Sequence, residues 1–287
     1  MKFGVSTWLW TSPFDGDSIF LFEKIKEMGF DTIEIPVEDP QLIEIRKLKE
    51  FQKLFDLNVT VCGAFGPGRD LTHNDPLVVH TCMNYIKDCL DIATELGCTF
   101  FAGPMYSEVG KARMVPPDQR RLEWDRAVSN LWDVCVMADD KGLDIAIEPL
   151  NRFESDLVNN ARDVKKLIKD INHPRAKICL DGFHMSIEEQ NILQAIITAG
   201  EDLIHVQVSE NYRGTPGTGT TNWNDIKMGL EQINYQGNIV IESFTPDNKN
   251  LAEAVCIWKP LAESQDKFAQ DGLNFLKKLF VAHPLVK

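Results

Sequence analysis

Short apolar runs and amphipathic stretches alternate along the whole chain. Runs rich in Val, Ile and Phe fall at 2–9, 30–36, 58–64, 98–103, 143–148, 176–181, 203–208 and 237–242 and read as strands. Helical spacing of apolar positions predicts helices near 17–28, 40–55, 76–96, 117–141, 161–171, 188–199, 223–233 and 263–281. In the first of these, Ile19, Phe20, Phe22, Ile25 and Met28 form one stripe, Glu23, Lys24, Lys26 and Glu27 lie mostly opposite, and Gly29 closes the helix. Several strands are nearly continuous in apolar character, as Ile239-Val240-Ile241 shows. Parallel strands covered on both faces have that look.

Alternation of this kind, with short connections, predicts βαβ units. Eight of them match the size of a closed α/β barrel, so residues 1–287 are expected to form a single (β/α)8 TIM-barrel domain. An open doubly wound sheet is disfavoured, because no G-x-G-x-x-G follows the first strand.

Composition narrows the function classes. The net charge is −13 and the basic residues are dispersed, which argues against a nucleic-acid partner. The seven cysteines are scattered without a C-x-x-C pair and read as reduced thiols. No apolar run has membrane-spanning length and the N-terminus lacks signal-peptide features, so a cytoplasmic protein is expected.

Barrels place their chemistry at the C-terminal strand ends. Three of the last four predicted strands end in a carboxylate directly after an apolar run: Glu148, Asp181 and Glu242. One such residue alone reads as a helix cap or half of an ion pair. Three converging on one mouth repel one another and call for a cation. A divalent ion answers that need, and oxygen ligands suit Mn2+ or Mg2+. Nearby polar residues, His184, Glu154 and Arg213, suit a small polyhydroxylated substrate.

These segments together resemble the ketose 3-epimerases (D-tagatose and D-allulose 3-epimerases) among the xylose-isomerase-like barrels. The resemblance is carried by Glu148-Pro-Leu-Asn-Arg-Phe-Glu154, Leu180-Asp181-Gly-Phe-His184-Met185, Glu210-Asn-Tyr-Arg213 with Pro216-Gly-Thr-Gly219 and Trp223, and Ile241-Glu242-Ser-Phe244. It implies one divalent metal, Mn2+ with Mg2+ or Co2+ as alternatives, bound by Glu148, Asp181, Glu242 and a fourth residue. The family's fourth ligand is a histidine, but the matching residue here is Gln207, whose amide oxygen is expected to serve instead. His205 lies two residues deeper in the same strand, about 6–7 Å away.

The resemblance further implies that Glu148 and Glu242 act as base and acid on C3 of a free ketose, through an enediolate. Glu154, His184 and Arg213 would hold sugar oxygens, with Phe244 at the pocket. Ser6 takes the place of a pocket tyrosine common in the family. A homodimer or homotetramer is implied as well.

Rival readings are an aldose–ketose isomerase or a lyase on a related keto-sugar or sugar phosphate, and a sugar-binding barrel with a decayed site. An endonuclease IV-like enzyme is disfavoured by the charge and by the position of most histidines. The segment Gly214–Thr221 lacks the Lys-Ser/Thr of a P-loop and reads as a turn beside the pocket. The long stretch 245–264 is expected to hold a short helix, serving as a lid or an oligomer contact.

Overall fold

The computed structural model describes residues 1–281. The first half runs β1 (Lys2–Ser6), α1 (Leu21–Glu27), β2 (Thr32–Val37), α2 (Ile45–Phe55), β3 (Asn58–Gly63), α3 (Pro76–Glu95), β4 (Phe100–Gly103) and α4 (Pro117–Asp139). The second half runs β5 (Asp144–Ile147), α5 (Ala161–Ile171), β6 (Ala176–Asp181), α6 (Gly182–Glu188), α7 (Ile192–Ala199), β7 (Leu203–Val208), α8 (Trp223–Gln232), β8 (Asn238–Ile241), α9 (Lys249–Ala254) and α10 (Gln265–Val281). All neighbouring strands pair in parallel, and β1 pairs with both β2 and β8, closing the barrel in sequence order.

The continuous apolar character of the strands now has a cause. Outward residues such as Ile178, Leu180, Val206 and Val208 join the large core between barrel and helices. Inward residues form a second, small cluster of Cys62, Phe100, Ala102, Ala146 and Cys179. Small side chains there leave room above them for the long polar residues at the mouth.

Differences from the sequence reading occur at strand ends. β1 stops at Ser6, and Thr7–Leu9 turn into a short 3-10 helix although Leu9 still enters the core. An apolar run marks burial, and burial continues through that turn. β5 and β8 end one residue before Glu148 and Glu242, whose backbone amides still bond to Gly103 and Val208 of the neighbouring strands. Helix α6 starts directly after β6, capped by the Asp181 side chain; a helix of seven residues carries too few repeats to be seen as a period. The short helix expected within 245–264 is α9.

Candidate active site

Register fixes the floor of the site. Asp181, the last residue of β6, pairs with Gln207 of β7, and Gln207 pairs with Val240 two residues before Glu242. Glu148, Asp181, Gln207 and Glu242 are all buried at this one end of the barrel.

Arg213 occupies the middle. Its Nη1 donates to Asp181 Oδ2 at 2.6 Å and to Glu242 Oε2 at 3.0 Å. Its guanidinium lies 4.2 Å from the Phe183 ring centre and 5.1 Å from that of Phe244. The loop that delivers it is specific: Arg213 has φ +62°, its amide donates to Glu210 O, and its carbonyl accepts from Ser243 Oγ. The Glu210 carboxylate accepts from the amides of Gly217 and Thr221 and from Trp223 Nε1, at 2.6, 3.1 and 2.8 Å. The glycine-rich segment thus wraps one of the chain's own carboxylates, which agrees with a turn beside the pocket.

Electrostatics follow from this packing. Burial and the charge of Asp181 push the Glu148 carboxyl well above its ordinary range. Burial also raises Glu242, against the pull of Arg213, with Asp181 and Glu148 adding to the rise. Burial acts on Asp181 in the same sense, but Arg213 together with His184, Glu242 and the Phe183 amide outweighs it and holds this carboxyl low. His184 is lowered by burial and by Arg213, so it is neutral at pH 7.

Both ring nitrogens of His184 have partners. Nδ1 accepts from the Asn151 backbone amide at 3.0 Å and faces Asn151 Nδ2 at 2.9 Å. A neutral ring accepts at only one of its two nitrogens. Nε2 stands 3.6 Å from Glu148 Oε1 and 3.2 Å from Arg213 Nη2, and the guanidinium can only donate. Glu148, Asp181 and His184 place ligand atoms within 4.8 Å of one another. Asn151 also donates to Glu154 Oε1 at 2.7 Å.

A cavity of about 430 Å³ opens above these groups, lined by Glu148, Glu154, His184, Gln207, Arg213 and Glu242 among others. Leu251, Ala254 and Val255 line it from α9 and the residue after it, so the segment 245–264 contributes to the cavity wall. Phe244 is on the wall with Trp8, their ring centres 5.4 Å apart. Ser6 is not brought to the wall. It is fully buried, and its hydroxyl has no hydrogen-bond partner among the described residues; Trp8, turned in by the 3-10 turn after β1, takes that side.

Gln207 is engaged differently from the sequence expectation. Its amide nitrogen faces Glu242 and Glu34, and its oxygen faces the thiol of Cys179. Glu34 went unnoticed in the sequence reading, as did Asn151 within its motif. The signal for Glu34 was present: a carboxylate inside Thr32-Ile33-Glu34-Ile35 has no place in a buried strand without a partner.

A divalent cation fits this donor set. Of three buried carboxylates, Arg213 pairs with Asp181 and Glu242, and the raised Glu148 and Glu242 mark the unbalanced negative charge that an ion would offset.

Among the described residues no helix is long and apolar enough to cross a membrane. A family model described as a xylose isomerase-like TIM barrel matches residues 22–279. The chain is 30% identical over 281 residues to a probable ketose 3-epimerase of Synechocystis sp., covering 98% of this chain and 97% of that one. It is 29% identical to a ketose 3-epimerase of Arthrobacter globiformis, with 98% of each covered. A crystal structure of D-allulose 3-epimerase from Methylomonas sp. in complex with D-allulose superposes with a TM-score of 0.91 at 26% identity, covering 98% of this chain and 97% of that one.

Proposed function

The chain belongs to the xylose isomerase-like TIM-barrel family, with ketose 3-epimerases among its relatives, and from that premise we propose that it is a sugar epimerase acting on a free ketose at C3. The observation that carries the proposal is the convergence of Glu148, Asp181 and Glu242 on Arg213 and His184 inside one cavity.

Inversion beside a carbonyl needs a proton taken from one face of C3 and another delivered to the opposite face. Glu148 and Glu242 enter from β5 and β8, with β6 and β7 between them, so they approach the substrate from different directions. One removes the C3 proton, leaving an enediolate over C2 and C3, and the other returns a proton from its own side. Their raised affinity for protons keeps such an exchange near neutral pH. His184 and Arg213 hold sugar oxygens, Arg213 at the carbonyl end, and Glu154 accepts from a hydroxyl. Trp8, Phe244 and the α9 residues keep water from the reacting carbon. Glu148, Asp181 and Glu242 would hold a divalent metal, Mn2+ first, which when bound supplies positive charge for the oxygens of the enediolate.

The test is incubation of Mn2+-loaded protein with a panel of free ketoses, aldoses and keto-glycosides, read by NMR. Interconversion of a ketose pair differing at C3 is expected. Aldose products or elimination products alone would replace this reading with the isomerase or lyase one.

A further inference from the structure

Gln207 stands where the ketose 3-epimerase resemblance implies a metal-binding histidine, and its surroundings give it other work. The side chain is buried, and its Nε2 lies 2.8 Å from Glu242 Oε1 and 2.9 Å from Glu34 Oε1. Both amide hydrogens are therefore spent on carboxylates. Its Oε1 accepts from Cys179 Sγ at 3.4 Å. Turning the amide over would set its oxygen 2.8 and 2.9 Å from two carboxylate oxygens, so the neighbours fix its orientation.

Glu34 is itself anchored. It is fully buried in β2, faces His205 Nε2 at 2.7 Å and accepts from Thr60 Oγ1 at 3.1 Å. His205 packs its ring 4.8 Å from that of Phe100. A chain of contacts thus runs from the barrel floor through Glu34 and the Gln207 amide to one oxygen of Glu242. Arg213 holds the other oxygen.

We infer that Gln207 is a positioning residue and not a metal ligand: its amide clamps Glu242 to the buried Glu34, leaving the ion to the carboxylates of Glu148, Asp181 and Glu242. The inference rests on the metal reading under Proposed function. A histidine at 207 could offer Nε2 to a metal but could not donate to Glu34 and Glu242 from one nitrogen. Glu148, Asp181 and Glu242 offer the ion oxygen donors only. Such a site favours Mn2+ and Mg2+ over Zn2+ and Co2+ relative to one that contains imidazole.

The two roles predict opposite orders for isosteric variants. Mn2+ would be titrated calorimetrically into the full-length wild type, Gln207→Glu and Gln207→Leu, with kcat and KM measured on the ketose found active. A ligand at 207 makes the carboxylate variant bind Mn2+ at least as tightly as wild type, and the Leu variant far more weakly. A clamp makes Gln207→Glu bind more weakly than wild type, because a third carboxylate then faces Glu34 and Glu242. Loss of such a supporting contact is expected to lower kcat about tenfold to a hundredfold in both variants, with KM for the sugar nearly unchanged.

Tight Mn2+ binding by Gln207→Glu, or unchanged kcat in both variants, overturns the inference. Absence of Mn2+ uptake by the wild type would instead overturn the metal reading on which it rests. Should the variants fail to fold, a crystal structure of the Mn2+-loaded wild type decides. Gln207 Nε2 still bonded to Glu242 supports the clamp, and Gln207 Oε1 at about 2.2 Å from the ion refutes it.

Discussion

Replacing Arg213 with Leu would show how closely the guanidinium and a metal share one task. Arg213 Nη1 lies 2.6 Å from Asp181 and 3.0 Å from Glu242, and its side chain is 7% exposed. Removing one partner of a buried ion pair costs about 3–5 kcal/mol, because the remaining charge is left without compensation. In a domain of this size each kcal/mol moves Tm by about 2–4 °C, so the metal-free variant should melt about 6–20 °C below wild type. Saturating Mn2+ then supplies the missing positive charge. At a hundredfold excess over Kd an ion adds about 2.7 kcal/mol to any form that binds it. The variant should gain more than the wild type, since no guanidinium competes for Asp181 and Glu242. The assay is thermal unfolding of both proteins in EDTA and in a Mn2+ series. A Tm gap that Mn2+ leaves unchanged or widens would refute the shared-neutralisation argument.

Three further outcomes follow from the same structure. Glu210→Ala removes the acceptor for the amides of Gly217 and Thr221 and for Trp223 Nε1; hydrogen exchange across residues 210–223 should speed up, and kcat should fall through misplacement of Arg213. Burial acts to raise Asp156, yet contacts with Arg120 and Arg113 hold it below the ordinary carboxylate range, so its stabilising effect is fully present above a pKa of about 3.9 and is lost as pH falls through its lower folded value; Asp156→Asn should be less stable at pH 7, and the difference should vanish in urea melts taken well below pH 4. Burial pushes the thiols of Cys82, Cys89, Cys98 and Cys135 up to about 12, and Cys62 and Cys179 also rise; one rapid thiol per native chain, Cys256, is expected in a disulfide-exchange titration at pH 7.5, with the other six appearing on denaturation.

The barrel was legible because its strands are long apolar runs separated by amphipathic helices, and covered parallel strands look like that wherever they occur. Glu148, Asp181 and Glu242 stood out because a charge directly after such a run breaks the pattern. Less could be read where the polar residue lies inside the run. Glu34 sits mid-strand, and its partners His205 and Gln207 are about 170 residues away in sequence, so only barrel closure brings them together. The same distance hid the orientation of Gln207: residue type says that an amide can ligate, and the two facing carboxylates decide which end is free. Ser6 stays off the cavity wall for a local reason. The turn at Thr7–Leu9 carries Trp8 to the cavity, and an apolar run contains no mark of where extended backbone gives way to a turn.

Hydrogen exchange at C3 tests the central claim most directly. Mn2+-loaded protein would be incubated in D2O with its ketose substrate, and deuterium at C3 followed by NMR for wild type, Glu148→Gln and Glu242→Gln. The expected result is label at C3 of both epimers with the wild type, and loss of both label and inversion in each variant. Inversion without label, or full exchange in either glutamine variant, would contradict the account.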